Sequence, residues 1–202
     1  MSSPEVVQAH LKRAIELDPD YPDPYYHLAL QQIEQHNLPA AQLHLQRAVE
    51  AASQSADSFQ ARERKLIAAN QFDAAKHCSF KSHELRLFSA RACYQLGLLL
   101  GVLGDGPAAE KQFRQATELD PTLAEAYHQL GCIALGRRKQ KAARSFFEQA
   151  VEVDFTLARA HLELAKVITA PDENKIARNH YLIARDLEAG LQSQALDQKF
   201  GE

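Results

Sequence analysis

The densest group of metal-binding side chains in this sequence is His77, Cys78 and His83. A zinc site built from nearby residues needs a closely spaced pair of ligands and a second such pair in the same region. The spacing here fits no usual zinc pattern, and no second pair lies nearby in sequence. We therefore interpret these residues as surface or half-buried side chains and predict no metal site.

A glycine cluster at Gly97, Gly101, Gly104 and Gly106 is the second chemical candidate. A phosphate-binding loop needs a preceding strand and a Lys-Ser/Thr pair, and neither accompanies these glycines. Close helix packing and a turn explain them instead. Because no other motif suggests a reaction, we predict no catalytic residue, no cofactor and no enzymatic activity. The alternative is an enzyme with a scattered site around the histidines and cysteine above.

A concentrated basic run, Arg137-Arg138-Lys139 with Lys141, lies between two helical patterns. Such a run is typical of a solvated turn, and binding of RNA or of an acidic partner is the alternative. The formal net charge of −3 gives no electrostatic reason for the whole chain to bind nucleic acid.

The residues that must position these groups recur with a period of 34 residues, which we call the beat of 34. Pro19 and Pro121 each close a Leu-Asp-Pro tripeptide and lie 102 residues apart, which is three times that beat. A globular fold has no reason to keep such a register, whereas stacked repeats must keep it because each packs only on its neighbours. Two series of alanines share the beat: Ala48, Ala116, Ala150 and Ala184, and Ala41, Ala109, Ala143 and Ala177.

Within the two most regular stretches, 90–123 and 124–157, apolar positions recur at helical spacing in two halves that a polar turn joins. Alanine and glycine let two helices cross closely, and Leu96, Phe113, Leu130 and Phe147 fill the space beside them. Asp-Pro ends the second helix, because proline disfavours helix in the residue before it. The pattern predicts two short amphipathic helices in each stretch.

This arrangement of small, large and Asp-Pro positions resembles the tetratricopeptide repeat family. The resemblance implies an all-α fold, a right-handed superhelical solenoid of antiparallel helix pairs with a 34-residue period, as a single domain over 1–202. On this beat the chain divides into a half-unit at 4–21, units at 22–55, 90–123, 124–157 and 158–191, a degenerate unit at 56–89, and a C-terminal cap at 192–202.

The degenerate unit 56–89 keeps the length of a repeat but loses its packing residues. Arg62 and Glu63 stand where the other units carry Leu with Gly or Ala. Ser79 and Ser82 stand where they carry a large residue and an alanine. We expect this stretch to pack as a distorted helix pair, and the alternative is that part of it lies outside the stack.

Two further helices are expected from the local pattern. We expect a turn at 70–73, followed by a helix that begins near Lys81 and runs straight into the next unit. After Gly190, the residues Leu191, Leu196 and Phe200 predict a final helix that covers the last open apolar face.

In the tetratricopeptide repeat family the first helix of each pair lines a concave groove. Carried onto this sequence, the groove residues form a mostly apolar and aromatic strip with a few cations. They are Tyr26, Leu30, Ile33, Arg91, Tyr94, Leu98, Val102, His128, Cys132, Leu135, Arg159, Leu162 and Lys166. Such a surface suits an amphipathic helix or an extended peptide with apolar anchors and an acidic group.

The resemblance also tests one kind of partner. Chaperone-binding members grip a C-terminal carboxylate with Lys, Asn and Arg at set places on successive first helices. The matching places here hold Tyr26, Leu30, Tyr94, Leu98, His128 and Cys132, which argues against chaperone tails of that kind. We predict a non-catalytic protein–protein interaction scaffold or adaptor. The alternative is a structural protein that forms homo-oligomers through the open N-terminal half-unit.

The rest of the sequence favours a cytoplasmic protein without a membrane partner. The polar N-terminus has no apolar segment behind a basic flank. The longest apolar stretch, 96–103, is far shorter than the ~20 residues that a membrane span needs. Three widely spaced cysteines, an odd number, do not form a disulfide framework.

Overall fold

The computed structural model describes residues 4–188 and 193–200, so Leu191 of the expected final helix lies outside it. Over the described residues the chain forms helices and no strand, and the predicted all-α class is confirmed. None of these helices is long and apolar enough to cross a membrane. The helices are α1 Pro4–Leu17, α2 Pro22–Glu34, α3 Leu38–Ala68, α4 Phe72–Val102, α5 Gly106–Leu119, α6 Ala124–Gly136, α7 Gln140–Val153, α8 Ala158–Val167, α9 Asn174–Leu187 and α10 Gln194–Phe200, with a 3-10 turn at Pro171–Glu173.

The helices gather into two compact units, residues 1–120 and 121–202. Unit 1 contains α1 to α5, and unit 2 contains α6 to α10. Within each unit, helices from α1 to α5 and from α6 to α9 pack against their neighbours in sequence. Short connections produce this arrangement, because they leave each helix no route except back along the previous one.

Unit 1 contains a hairpin of two long helices, α3 and α4, each of 31 residues. On the beat of Pro19 and Pro121, proline would stand at positions 53 and 87, but the chain has Ser53 and Leu87 there. Since neither residue blocks a helix, α3 and α4 run through these positions without a break. At about 1.5 Å per residue, each helix is about 46 Å long.

The turn of this hairpin lies at residues 69–71. Asn70 has a φ of 57° there, a left-handed conformation that asparagine tolerates better than most residues. The expected helix start near Lys81 is wrong, because α4 begins at Phe72, directly after the turn. No glycine or proline stands between Phe72 and Lys81, so nothing in the sequence delays the helix.

In residues 56–89 the second half of α3 packs along the first half of α4, and small residues still mediate the contact. Ala75 and Ser82 stand on the two alanine beats, and both are buried. Ser82 Oγ donates a hydrogen bond of 3.0 Å to the carbonyl of Ala56, a link that alanine could not make. By contrast, Ser79 occupies a large position and is exposed. The packing residues are therefore kept at the two alanine positions, but they are lost at the large positions and at the glycine position, where Glu63 stands.

In the neighbouring parts of the chain, a glycine on one helix receives an aromatic ring from the next. A Cβ atom added to Gly97 on α4 would lie 2.7 Å from the ring of Phe113 on α5. In unit 2, Gly131 on α6 stands in the same relation to Phe147 on α7. Both rings are buried. Glycine lets the backbone touch the ring directly, at a distance that any side chain would increase.

A second link in unit 2 is a buried histidine pair between α8 and α9. His161 is fully buried, and its Nδ1 lies 2.8 Å from Nδ1 of His180. The His161 Nε2–H donates to the carbonyl of Phe155, 3.0 Å away. Neutral His161 then accepts a hydrogen bond from His180 at Nδ1, whereas a protonated ring would carry hydrogen on both nitrogens. The hydrogen bond between the two Nδ1 atoms therefore requires at least one of the two rings to be neutral, because two protonated rings would bring two N–H donors together.

The surroundings of the pair act in the same direction. Burial is the largest cause that lowers the pKa of both His161 and His180. The hydrogen bond to the Phe155 carbonyl and the Asp154 carboxylate oppose this shift at His161. At His180, Glu148 opposes it, whereas Arg144 and the neighbouring His161 add to it. In the folded protein both rings are held neutral to lower pH than in the unfolded chain.

We expect Gly97→Ala to destabilise the protein by about 1–3 kcal/mol, because the overpacking cost exceeds the gain in helix propensity. Gly101→Ala, on the same helix, is the matched control, since a Cβ there meets nothing within 4 Å. The control should be neutral or stabilising by up to about 1 kcal/mol. Urea unfolding followed by circular dichroism measures the free energy of unfolding of both variants. Equal stability of the two would contradict a close contact between Gly97 and the Phe113 ring.

We expect the histidine pair to make stability depend on pH. Because the folded pKa values lie below the unfolded value of about 6.5, the pair stabilises the fold above that pH, and its contribution is lost as the pH falls. The unfolding temperature should therefore fall on acidification, and fall less in His180→Gln. His83→Gln changes an exposed histidine and should follow the wild type. Parallel curves for His180→Gln and the wild type would refute the pair as the cause.

Candidate functional site

The residues expected to line a groove form one strip in each unit. The unit-1 strip lies on α2 and α4, and the unit-2 strip lies on α6 and α8. On each helix the members are three or four residues apart, a spacing that places them on one face. The unit-1 strip is Tyr26, Leu30, Ile33, Arg91, Tyr94, Leu98 and Val102; the unit-2 strip is His128, Cys132, Leu135, Arg159, Leu162 and Lys166.

On α4 the apolar members of the unit-1 strip become more exposed toward the end of the helix. Tyr94 is half-buried, and its ring lies 5.8 Å from that of Phe113. Leu98 is also half-buried, whereas Val102 is 76 % exposed. Arg91 is exposed at the other end of the row. The helix thus presents one aromatic and two aliphatic side chains beside a cation.

On α2 the strip residues Tyr26, Leu30 and Ile33 are all half-buried. The ring of Tyr26 meets that of Phe88 edge-on, with the centroids 5.4 Å apart. Burial raises the pKa of Tyr26, and the Arg91 guanidinium opposes the shift. Phe88 therefore joins the two halves of the strip, although the repeat register does not single it out. The sequence indicates Phe88 through its position one helical turn before Arg91.

In unit 2 the α6 residues His128, Cys132 and Leu135 are half-buried. The His128 ring lies 5.6 Å from the ring of Phe147. The same ring that packs on Gly131 therefore also supports the strip. The core contact and the strip lie on adjoining faces of one helix.

The α8 part of the unit-2 strip differs from expectation at one residue. Arg159 and Lys166 are exposed, and Lys166 Nζ lies 2.7 Å from the Glu163 carboxylate. Leu162 is only 7 % exposed, because Leu196 of α10 packs against it. Leu162 is therefore part of the core of unit 2 and not an accessible groove residue. The helical spacing gives its face correctly but cannot show that a later helix covers it.

Two strip residues form a Cys–His pair: His128 Nε2 and Cys132 Sγ lie 3.8 Å apart. A catalytic pair of this kind needs a thiolate, and hence a lowered thiol pKa. Here burial raises the pKa of Cys132 to about 11 and lowers the pKa of His128. Both side chains are neutral at neutral pH, so the pair supplies contact surface and not a nucleophile.

The other chemical candidates do not converge. Cys78 is buried, whereas His77 and His83 are exposed. In the part of the chain that the structure describes, no group of three or more His, Cys, Asp or Glu side chains could hold a metal ion. The basic run lies in and after the turn between α6 and α7, and residues 137–141 are exposed.

We expect Cys132 to react slowly with iodoacetamide at neutral pH, because its thiol stays protonated until the pH approaches about 11. The native rate should be at least tenfold below that of the same cysteine in the unfolded protein, and His128→Asn should leave it unchanged. Mass spectrometry of proteolytic peptides separates Cys132 from Cys78 and Cys93. Fast labelling that His128→Asn abolishes would show an activated thiol instead.

The arrangement of helices is similar to that of several solved structures. MamA shares 16 % identity over 90 % of this chain and 86 % of its own, with a TM-score of 0.61, which shows likeness of fold alone. YrrB, described as a TPR protein with an unusual peptide-binding site, shares 22 % identity over 94 % of this chain and 97 % of its own, with a TM-score of 0.48. PilF of Pseudomonas aeruginosa shares 22 % identity over 85 % and 78 %, with a TM-score of 0.49. Comparison with curated protein sequences gives no match.

Sequence models of the tetratricopeptide repeat match residues 10–43, 90–123 and 124–157, together about half of the chain. The first match runs from α1 through α2 into α3. The second contains both Gly97 and Phe113, and the third contains both Gly131 and Phe147. The chain belongs to the tetratricopeptide repeat family.

Proposed function

We propose that this protein is a non-catalytic scaffold that binds a segment of another protein along its strips. Membership of the tetratricopeptide repeat family supports a role in protein–protein interaction. The single observation that carries the finer proposal is the end of α4, where an apolar row stays open beside buried leucines.

At this end of α4, Leu99 and Leu100 are buried, whereas Leu98 is half-buried and Val102 is 76 % exposed. A helix end this rich in leucine is normally covered, because each uncovered apolar side chain keeps its contact with water. The open side continues the row from Tyr94. A partner with an apolar face would complete the cover and remove this surface from water.

The partner that fits is an amphipathic helix or an extended peptide with apolar anchors and an acidic group. Tyr94, Leu98 and Val102 are spaced to meet anchors at successive turns of a helix. Arg91 in unit 1 and Arg159 in unit 2 are exposed cations beside the apolar rows. Charge pairs at such exposed positions contribute little energy and are weakened by salt, so the apolar anchors should supply most of the affinity.

We expect Leu98→Glu combined with Val102→Glu to reduce partner capture about tenfold or more, because truncating or charging a buried anchor costs more than about 1.4 kcal/mol. The measurement is affinity capture from native lysate with quantitative mass spectrometry. Leu17→Glu is the matched control, since it places the same charge on a residue of α1 that is 72 % exposed and outside the strip.

Circular dichroism should show unchanged helicity in both variants, because the substituted side chains are half-buried or exposed. Partners that the wild type and Leu17→Glu retain and the double variant loses would support the strip as the binding site. If the double variant captures the same proteins in the same amounts, the strip is not the site.

A further inference from the structure

A second surface of unit 1 lies where the long hairpin passes the turn between α1 and α2. This surface is a cleft of about 480 Å³, within the range of roughly 300–1,000 Å³ that is usual for ligand sites. The α1–α2 turn and the first residues of α2 form one wall, and α3 and α4 form the other.

Two hydrogen bonds within unit 1 hold the walls of the cleft in place. Ser55 Oγ on α3 donates a hydrogen bond of 3.3 Å to the carbonyl of Asp20. The Tyr25 hydroxyl donates one of 3.2 Å to the carbonyl of Pro19. These two bonds fix the turn against α2 and α3, so a ligand need not order it on binding.

Aromatic rings form the walls of the cleft. Tyr21 comes from the turn, Phe59 from α3 and Phe88 from α4. Tyr21 is 46 % exposed, and the other two are half-buried, so all three present ring surface to a ligand. The face of an aromatic ring attracts a cation through its quadrupole, and most strongly where water is partly excluded.

Carboxylates surround these rings. Asp18, Asp20, Asp23 and Glu84 line the cleft, and Lys81 is the one cation among the described residues that do so. Lys81 Nζ lies 2.8 Å from the Glu84 carboxylate, so its charge is already offset. Opposite the aromatic side chains of the hairpin lie three more carboxylates, Asp18 and Asp20 in the α1–α2 turn and Asp23 in the first turn of α2. Asp18 accepts a hydrogen bond from the backbone N–H of Asp20, and Asp23 accepts one from the Tyr21 hydroxyl. The cleft is therefore complementary to a positive charge carried on an apolar stem.

We infer that this cleft binds a basic segment of a partner protein, with an arginine side chain between the aromatic rings. Arginine suits the site better than lysine, because its planar guanidinium stacks on rings and pairs with a carboxylate through two hydrogen bonds. The unit-1 strip has the opposite preference, since it offers Arg91 to an acidic group. The two surfaces meet at Phe88, whose ring also contacts Tyr26.

The test is a titration of the full chain with a fluorescent peptide that carries two arginines between leucines. The matched peptide has citrulline, which is uncharged, in place of both arginines. The arginine peptide should bind saturably, and the citrulline peptide at least tenfold more weakly. Asp20→Lys with Glu84→Lys should weaken the arginine peptide at least tenfold. Asp20→Asn, which keeps the size of the side chain, should weaken it measurably if the double variant fails to fold.

Two controls locate the binding. Asp57→Lys makes the same charge change at an exposed position of α3 outside the cleft and should change the affinity less than twofold. Glu118→Lys, at an exposed position of α5 outside the cleft, should also leave it unchanged. In NMR spectra the shifted amides should be those of the α1–α2 turn and of the cleft residues on α3 and α4.

Three results would overturn the inference: no saturable binding, equal binding of the two peptides, or equal effects of Asp57→Lys and the cleft variants. Sedimentation of the protein without peptide tests whether a second copy of the chain occupies the cleft. If copies of the chain associate and the cleft variants abolish that association, a second copy fills the cleft and the assignment to a different partner is wrong.

Discussion

The contact between a glycine backbone and an aromatic ring determines how α4 lies against α5 and how α6 lies against α7. Where Phe113 meets Gly97 and Phe147 meets Gly131, the ring occupies the place of a side chain, and the two helices approach closely. The ring fixes which side of α4 or α6 is core, because the face that receives it is closed to everything else. The strips occupy the helix faces beside these rings, since Tyr94 and His128 each lie against the flank of such a ring. The surface proposed to bind a partner is therefore a by-product of core packing.

The sequence predicts the parts of this structure that depend on spacing and fails where they depend on distant contacts. The beat of 34 and the small residues on it predict the helical class, because each position packs only on near neighbours. The start of α4 is missed because the pattern of 56–89 looks broken, whereas the absence of proline at 53 and 87 is the stronger signal. The faces of the strips follow from helical spacing, but the burial of Leu162 depends on α10. The cleft escapes prediction altogether, since it combines three segments that no local pattern links.

Burial, more than charge, sets the chemistry of the ionisable groups inside this protein. It raises the pKa of Cys93 to about 12 and that of Cys132 to about 11, and it lowers the pKa of His128 and His161. Each shift favours the neutral form, so these residues pack as small or flat apolar groups with a polar edge. Charged side chains lie at the surface, among them the few cations of the strips and the carboxylates of the cleft. The two kinds of surface differ in sign although they adjoin at one phenylalanine.

The unbroken hairpin changes what the period of 34 means. From Leu38, where α3 begins, to Phe72, where α4 begins, is also 34 residues, but this interval contains one helix and one turn. A regular repeat uses the same length for two helices and brings the chain back to the end from which it started. Here α3 uses one repeat length to run to the far end of the hairpin, and α4 uses the next to run back. Two repeat lengths therefore form one hairpin of long helices. Counting residues on this period therefore gives the wrong number of helices in this stretch. Deleting residues 38–71 would remove a single helix, α3, and reverse the direction of the helices that follow it in unit 1.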